Sequence, residues 1–255
     1  MIKKTLPRNF FYYYFLLVLF GFILKPSSAY SFAPLKADFI IAIDAGHSVK
    51  RYGAVSAHGK GEYVYNENIA KLLLQRLKKD GYVRSFIIDS DGRDTSLLER
   101  VSIANRQNAN LLISIHHDSV QQKYLKEWSY KGGKNIYSDQ YSGYSIFYSQ
   151  LNPQYKKSLS FAKRLGSELL DFGFYPSHHH AEPIQGEERN LIDAERGIYR
   201  VDDFGIVKSA NMPSIILECG VIVNREEEML LENRVYQKAI VSSISSAVNK
   251  YFHER

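Results

Sequence analysis

Four side chains in this sequence could carry out hydrolysis together: His47, Glu62, His116 and Glu218. Two histidines and a carboxylate are the usual protein ligands of a hydrolytic zinc ion, with a fourth position left for water. Zinc brings the pKa of such a water from about 15.7 to about 7, which makes a nucleophile at neutral pH. One more carboxylate must accept the water proton and pass it to the leaving amine, and Glu218 suits that task. Each residue also has an ordinary reading. His47 could be a satisfied loop histidine, Glu62 a partner of a helix N-terminus, and Glu218 the partner of a nearby Arg or Lys. Against the last stands the cost of ending an apolar strand in a glutamate that has neither task nor partner.

The elements that would position these residues alternate along the chain. Phe39-Ile-Ile-Ala-Ile43 reads as a buried strand and ends in Asp44-Ala-Gly-His47. Gly46 marks a turn, so His47 projects from the carboxyl tip, where open α/β sheets bind ligands. A loop with Gly53, Gly59 and Gly61 leads to a helix opened by Glu62, with Ile69, Leu72, Leu73 and Leu77 on its apolar face. Tyr82–Ile88 reads as a strand, and Leu97–Ala104 as a short helix with Leu97, Val101 and Ala104 on one face. Leu111–Ile115 repeats the first strand's design and ends in His116-His117-Asp118-Ser119. Polar Gln121–Gln140 suits a surface hairpin. Tyr144–Tyr148 reads as a strand, Ser158–Phe172 as a helix and Phe204–Val207 as a strand. Ser214–Leu217 is a strand carrying Glu218 at its end. Asn224 can cap a helix over Arg225–Leu231, and a last helix runs from about Val235 to Phe252.

Residues 1–29 read as a signal peptide. Lys3, Lys4 and Arg8 precede the apolar run Phe10–Leu24, which is short for a spanning helix, and Ser27-Ser-Ala29 supplies a cleavage site. Four of the 33 basic residues lie in this segment and no acidic ones do. The remainder, residues 30–255, therefore carries 29 basic against 27 acidic residues, a balance of +2. The sequence pI of about 9.1 thus gives no argument for a nucleic-acid partner. About 225 residues suit one α/β domain. The lone Cys219 permits no internal disulfide and reads as a small core residue. HExxH, P-loop and GxSxG motifs are absent, and Gly59-Lys-Gly61 lacks the third glycine of a dinucleotide fingerprint.

Four blocks carry a family resemblance: IAIDAGH, GEYVYNENIAKLLLQRL, SLLERVSIANRQNANLLISIHHDS and PSIILECGVIVNREEE. Their order and spacing resemble the zinc-dependent N-acetylmuramoyl-L-alanine amidases of the amidase-3 type, from about Asp38 to the C-terminus. The resemblance implies a twisted, mostly parallel sheet, here of about six strands, with helices on both faces. It implies one zinc per chain held by His47, Glu62 and His116, with Glu218 in the catalytic position. Glu62 rather than Glu67 fits the family spacing, in which Asn66 and Ala70 follow. It implies cleavage of the amide between N-acetylmuramic acid and the L-alanine of the peptidoglycan stem peptide, by a monomer in the periplasm or outside the cell. A zinc carboxypeptidase fits less well, because Lys50 stands where that family's first motif has glutamate. A non-catalytic wall-binding regulator would be expected to have lost one of the four residues, and all are present.

Residues 175–200 break the alternation and lack a hydrophobic period, as a lid or substrate loop would. Glu182, Glu187, Glu188, Asp193 and Glu195 lie in this stretch. Some amidases of the resembling type are held inactive by an inserted segment until an activator protein binds. Glu182, Glu187 and Glu188 are therefore candidates for a regulatory or substrate-binding loop. The run His178-His-His180 reads as part of that polar loop, His117 as facing away from His116, and His58 and Trp128 as having no assigned task.

Overall fold

Strands buried on both faces need continuous apolar runs, and the three runs that end in His47, His116 and Glu218 form adjacent strands. The computed structural model describes residues 35–185 and 188–254. The expected signal peptide and Glu187 lie outside them. In chain order the elements are β1 (Ile41–Ala45), α1 (Glu62–Lys79), β2 (Phe86–Ile87), α2 (Leu97–Arg106), β3 (Leu111–Asp118), β4 (Lys126–Tyr130), β5 (Gly133–Tyr137), β6 (Ser145–Tyr148), α3 (Tyr155–Asp171), β7 (Asn190–Asp193), β8 (Ile198–Arg200), α4 (Gly205–Lys208), β9 (Ser214–Val221), α5 (Arg225–Glu232) and α6 (Arg234–His253). Short 3-10 turns add Lys36–Asp38, Gln122–Tyr124 and His179–Ala181.

Among the described residues, seven strands form one sheet in the order β2-β1-β3-β9-β6-β8-β7, and β4–β5 pair as the expected hairpin. The strands from β2 to β9 are parallel to their neighbours, whereas β6 pairs antiparallel to β9. The alternation of side chains divides the core into two layers. Ile41, Ile43, Leu111, Ile113, Ile115 and Leu217 pack with Ile69, Leu73 and Leu77 of α1, Phe161 and Leu165 of α3, and Ile240, Ile244 and Val248 of α6. On the other face, Ala42, Leu112 and Ile216 pack with Val101 and Ala104 of α2 and with Ile206 and Val207 of α4. Helices therefore cover both faces. No helix among the described residues is long and apolar enough to cross a membrane.

Three expectations are corrected. Phe204–Val207, read as a strand, is the start of α4, because Ile206 and Val207 fill the layer beneath α2. Tyr82–Ile88 keeps only two strand residues, since Tyr82 turns into the core and closes the helix end through its N–H to Leu77 O. Residues 175–200 are not a loop throughout. β8 pairs parallel to β6 and β7 pairs antiparallel to β8, so the second half of this stretch extends the sheet. With strands this short, too few alternations occur for a period to be visible.

Candidate metal centre

The turn after β1 holds His47 in the left-handed region at φ 68°, a conformation that persists only when neighbours enforce it. Arg100 is the main enforcer. Its Nη1 donates to Asp44 Oδ1 at 2.7 Å and to Ala45 O at 2.8 Å, and its Nη2 donates to His47 O. Asp44 is buried and also accepts from Ser114 Oγ at 2.6 Å. Asn66 Nδ2 donates to Gly46 O at 3.0 Å. A buried ion pair and four hydrogen bonds thus fix the strand tip.

Glu62 is the first residue of α1 and is buried. Its carboxylate collects donors from four segments: Ala54 N at 3.1 Å, Asn66 Nδ2 at 3.0 Å, His117 N at 3.3 Å and the two imidazoles. His47 Nε2 lies 2.9 Å from Oε2, and His116 Nδ1 lies 2.9 Å from Oε1. The two rings stand 5.0 Å apart at 75°. Burial alone would raise the Glu62 pKa, but the bonds from His116 and His47 prevail and hold it well below the usual carboxylate range. In turn, Glu62 overcomes the effect of burial on His116 and raises its pKa.

Two glycines are required by close approach. A Cβ on Gly46 would sit 2.1 Å from His116 Nε2, and one on Gly53 would sit 2.4 Å from Glu62 Oε2. Gly53 also has φ +77°.

Glu218 is the register partner of His116 in the parallel β3–β9 ladder, so the two point to the same face. Its Oε2 is buried and has no hydrogen-bond partner among the described residues. Burial, then the carboxylates of Asp118 and Glu62, push its pKa well above the usual range. Glu62 is thus held ionised, as a metal ligand must be, whereas Glu218 has a raised affinity for a proton, which suits a group that must take one from water. His47, Glu62, His116 and Glu218 share one cleft of about 800 Å³, whose far wall includes the exposed Leu97 and Leu98 and the Asp203–Ile206 segment.

The four residues singled out from the sequence are therefore brought together. His117 faces α1 and bonds Asn66 Oδ1 at 2.7 Å, and burial lowers its pKa to about 3. Cys219 is buried in the core, where burial raises its thiol pKa. Among the described residues, none of 175–200 lines this cleft. Glu182 accepts the hydroxyls of Tyr124 and Tyr141 and pairs with Lys123 at 3.3 Å. Glu188 is exposed beside Arg189 and Asn190. His178 binds Ala194 O, whereas His179 and His180 turn inward to Asp118. His58 pairs with Glu228, and the Trp128 ring stacks on Tyr130.

Sequence reasoning missed Arg100, Asn66 as a positioning residue, and the Asp118–His179–His180 group. A cue for Arg100 was present. It lies at the i+3 position from Leu97, on the stripe assigned to the core, and a charge there needs a buried partner. Leu97 itself is exposed.

Comparison with known proteins agrees with this geometry. The amidase-3 family profile, described as N-acetylmuramoyl-L-alanine amidase, matches residues 41–250. A protein of Buchnera aphidicola subsp. Baizongia pistaciae, named putative N-acetylmuramoyl-L-alanine amidase, is 32% identical over 219 residues, covering 85% of this chain and 97% of that one. N-acetylmuramoyl-L-alanine amidase AmiA of Escherichia coli K12 is 27% identical over 240 residues, covering 84% of this chain and 76% of AmiA. Among solved structures, amidase AmiC2 of Nostoc punctiforme superposes with a TM-score of 0.64 at 23% identity, over 85% of this chain and 98% of that one. The CwlD amidase of Clostridioides difficile, solved in complex with the GerS lipoprotein, gives 0.59 at 20% identity, over 86% and 100%.

Proposed function

This chain belongs to the N-acetylmuramoyl-L-alanine amidase family, and from that premise we propose that His47, Glu62 and His116 hold one zinc ion and that Glu218 carries the proton. The enzyme is a peptidoglycan hydrolase that cleaves the amide between N-acetylmuramic acid and the L-alanine of the stem peptide. The donor chemistry supports zinc. Two imidazole nitrogens and a carboxylate lie within 4.8 Å of one another, and tetrahedral zinc at about 2.0–2.2 Å would need donor separations of about 3.3–3.5 Å. The 2.9 Å contacts of Glu62 with each histidine would open by roughly 0.5 Å. When bound, zinc supplies a Lewis acid for the scissile carbonyl and lowers the pKa of water to about 7.

The protein's own residues do the rest. Glu218 accepts the proton of the attacking water and returns it to the leaving nitrogen. Asn66 and Arg100 hold the turn and the carboxylate on which the histidines converge. Leu97 and Leu98 offer the cleft an apolar lip against which substrate can exclude water. The observation that carries this reading is the unpartnered Glu218 Oε2, one strand from His116 and in the same cleft. The test is digestion of purified peptidoglycan, with products identified by mass. Stem peptides with a free L-alanine amine should appear, vanish with a chelator and return with added zinc. Release of single amino acids, or indifference to chelation, would refute the assignment.

The proposal extends to place and partner. Lys3, Lys4, Arg8 and the Phe10–Leu24 run support export, with a mature chain beginning near residue 30 and acting in the periplasm or outside the cell. An envelope protein whose intact mass still includes Phe10–Leu24 would refute this. The CwlD neighbour is solved in complex with a lipoprotein, and the proposal for this chain includes a protein partner as well.

A further inference from the structure

The inward pair of the triple histidine forms a second set of donors. Asp118 is the last residue of β3, and His179 and His180 open the 3-10 turn His179–Ala181. One ligand atom from each lies within 4.8 Å of the others. His180 Nε2 is 2.6 Å from Asp118 Oδ2, and His179 Nε2 is 3.4 Å from the same oxygen. His179 is wholly buried, and among the described residues its Nε2 makes no hydrogen bond, only the 3.4 Å ionic contact with Asp118. A buried polar atom without a hydrogen bond is costly, so this nitrogen calls for an explanation.

Its surroundings have the features of a ligand site. His179 Nδ1 and Ser177 Oγ are 2.8 Å apart. Donation from Nδ1 to that hydroxyl leaves the Nε2 lone pair directed at Asp118, the arrangement in which the outer ring nitrogen of a metal-bound histidine is fixed by its neighbour. Gln121, just after β3, donates from Nε2 to His179 O at 2.8 Å, and its Oε1 is a second buried atom without a hydrogen-bond partner among the described residues. Tyr141 packs on His179, and Phe147 and Tyr199 pack on His180, so the two histidines are walled by aromatic rings, while Asp118 also lines the cleft of the first centre. The 3.4 Å spacing already equals what a tetrahedral zinc needs between donors. The 2.6 Å pair would open by less than about 1 Å.

We propose that Asp118, His179 and His180 form a second divalent-cation site, with zinc as its occupant, separate from the His47–Glu62–His116 centre. Two imidazoles and one carboxylate suit a borderline-soft cation rather than calcium or magnesium. The ion ties residues 177–181 to the end of β3 and so anchors the stretch that leads into β7 and β8. Its two histidines lie outside the cleft lining, and its task is structural.

Zinc per chain, measured by elemental mass spectrometry after dialysis against micromolar zinc, tests this on the full chain. Wild type should hold two, His116→Ala one and His180→Ala one. The double variant should hold none. Cobalt loaded into His116→Ala should give a visible spectrum that disappears in the double variant. If His180→Ala loses its near-ultraviolet circular dichroism, His180→Gln, closer in volume and still polar, gives the same count. One zinc in wild type together with one in folded His180→Ala or His180→Gln would overturn the second site. Failure of the first centre would read differently, as undiminished zinc in His116→Ala.

Discussion

Two sets of two histidines and one carboxylate both draw on the end of β3, and they are assembled in opposite ways. His47, Glu62 and His116 come from three separate segments, and each Glu62 oxygen is held by backbone or Asn66 donors besides its histidine. His179 and His180 are neighbours in one turn, and the group they make with Asp118 leaves His179 Nε2 without a hydrogen bond among the described residues. The first set opens on a substrate-sized cleft and has Glu218 one strand away. The second reaches that cleft only through Asp118, and its two histidines are walled by aromatic rings. A ligand triad alone therefore does not define a hydrolytic centre. Access for substrate to both histidines is what separates the two, since raised carboxylates stand beside each, Glu218 near both and Glu227 near Asp118 and His179.

The sharpest way to break this contrast is Glu218→Gln, which keeps the shape and removes the base. Turnover on peptidoglycan should fall by about 10²- to 10⁴-fold while the zinc content stays the same. Near-normal turnover would give the proton to another residue.

Next in size is the support beneath it. Arg100→Ala leaves Asp44 buried without its ion-pair partner, a change that typically costs about 3–5 kcal/mol of folding stability. The exposed i,i+4 pair Arg76–Asp80 serves as the reference, since Arg76→Ala should cost only about 0.3–0.5 kcal/mol. Similar denaturant midpoints for the two variants would show that the strand tip does not depend on Arg100.

The third prediction is a pH dependence. Glu62 raises the pKa of His116 above its ordinary 6.5 in the metal-free fold, and zinc must displace that proton. Apparent zinc affinity at the first centre should therefore be full well above the raised pKa and should weaken as pH falls through it, in a window that begins above 6.5. Calorimetry of His180→Ala across pH isolates that centre. A midpoint at or below 6.5 would contradict the hold of Glu62 on His116.

The smallest effect belongs to His178, which is exposed and whose ring hydrogen-bonds Ala194 O. His178→Ala should alter stability by no more than about 0.5 kcal/mol and leave zinc per chain unchanged. Loss of a zinc equivalent would mean that all three histidines share the second site.

By itself the sequence determined most of the elements and singled out the four residues that the fold brings together. Apolar runs ending in His47, His116 and Glu218 can only be buried strands with polar tips, and parallel strands deliver their tips to one edge of the sheet. The helical period after Glu62 fixed that residue at a helix start. Periodicity reports which face of an element is buried. It does not report which distant residue a buried polar group meets. Arg100 became a clamp because Asp44, 56 positions earlier, lies beneath α2. His179 and His180 turned inward because Asp118, about 60 positions earlier, closes β3 beside them. β7 and β8 took strand form from β6, since segments of three or four residues gain order only from a partner strand. In each case burying a polar group or an isolated backbone is costly until its partner arrives, and only the tertiary fold brings that partner.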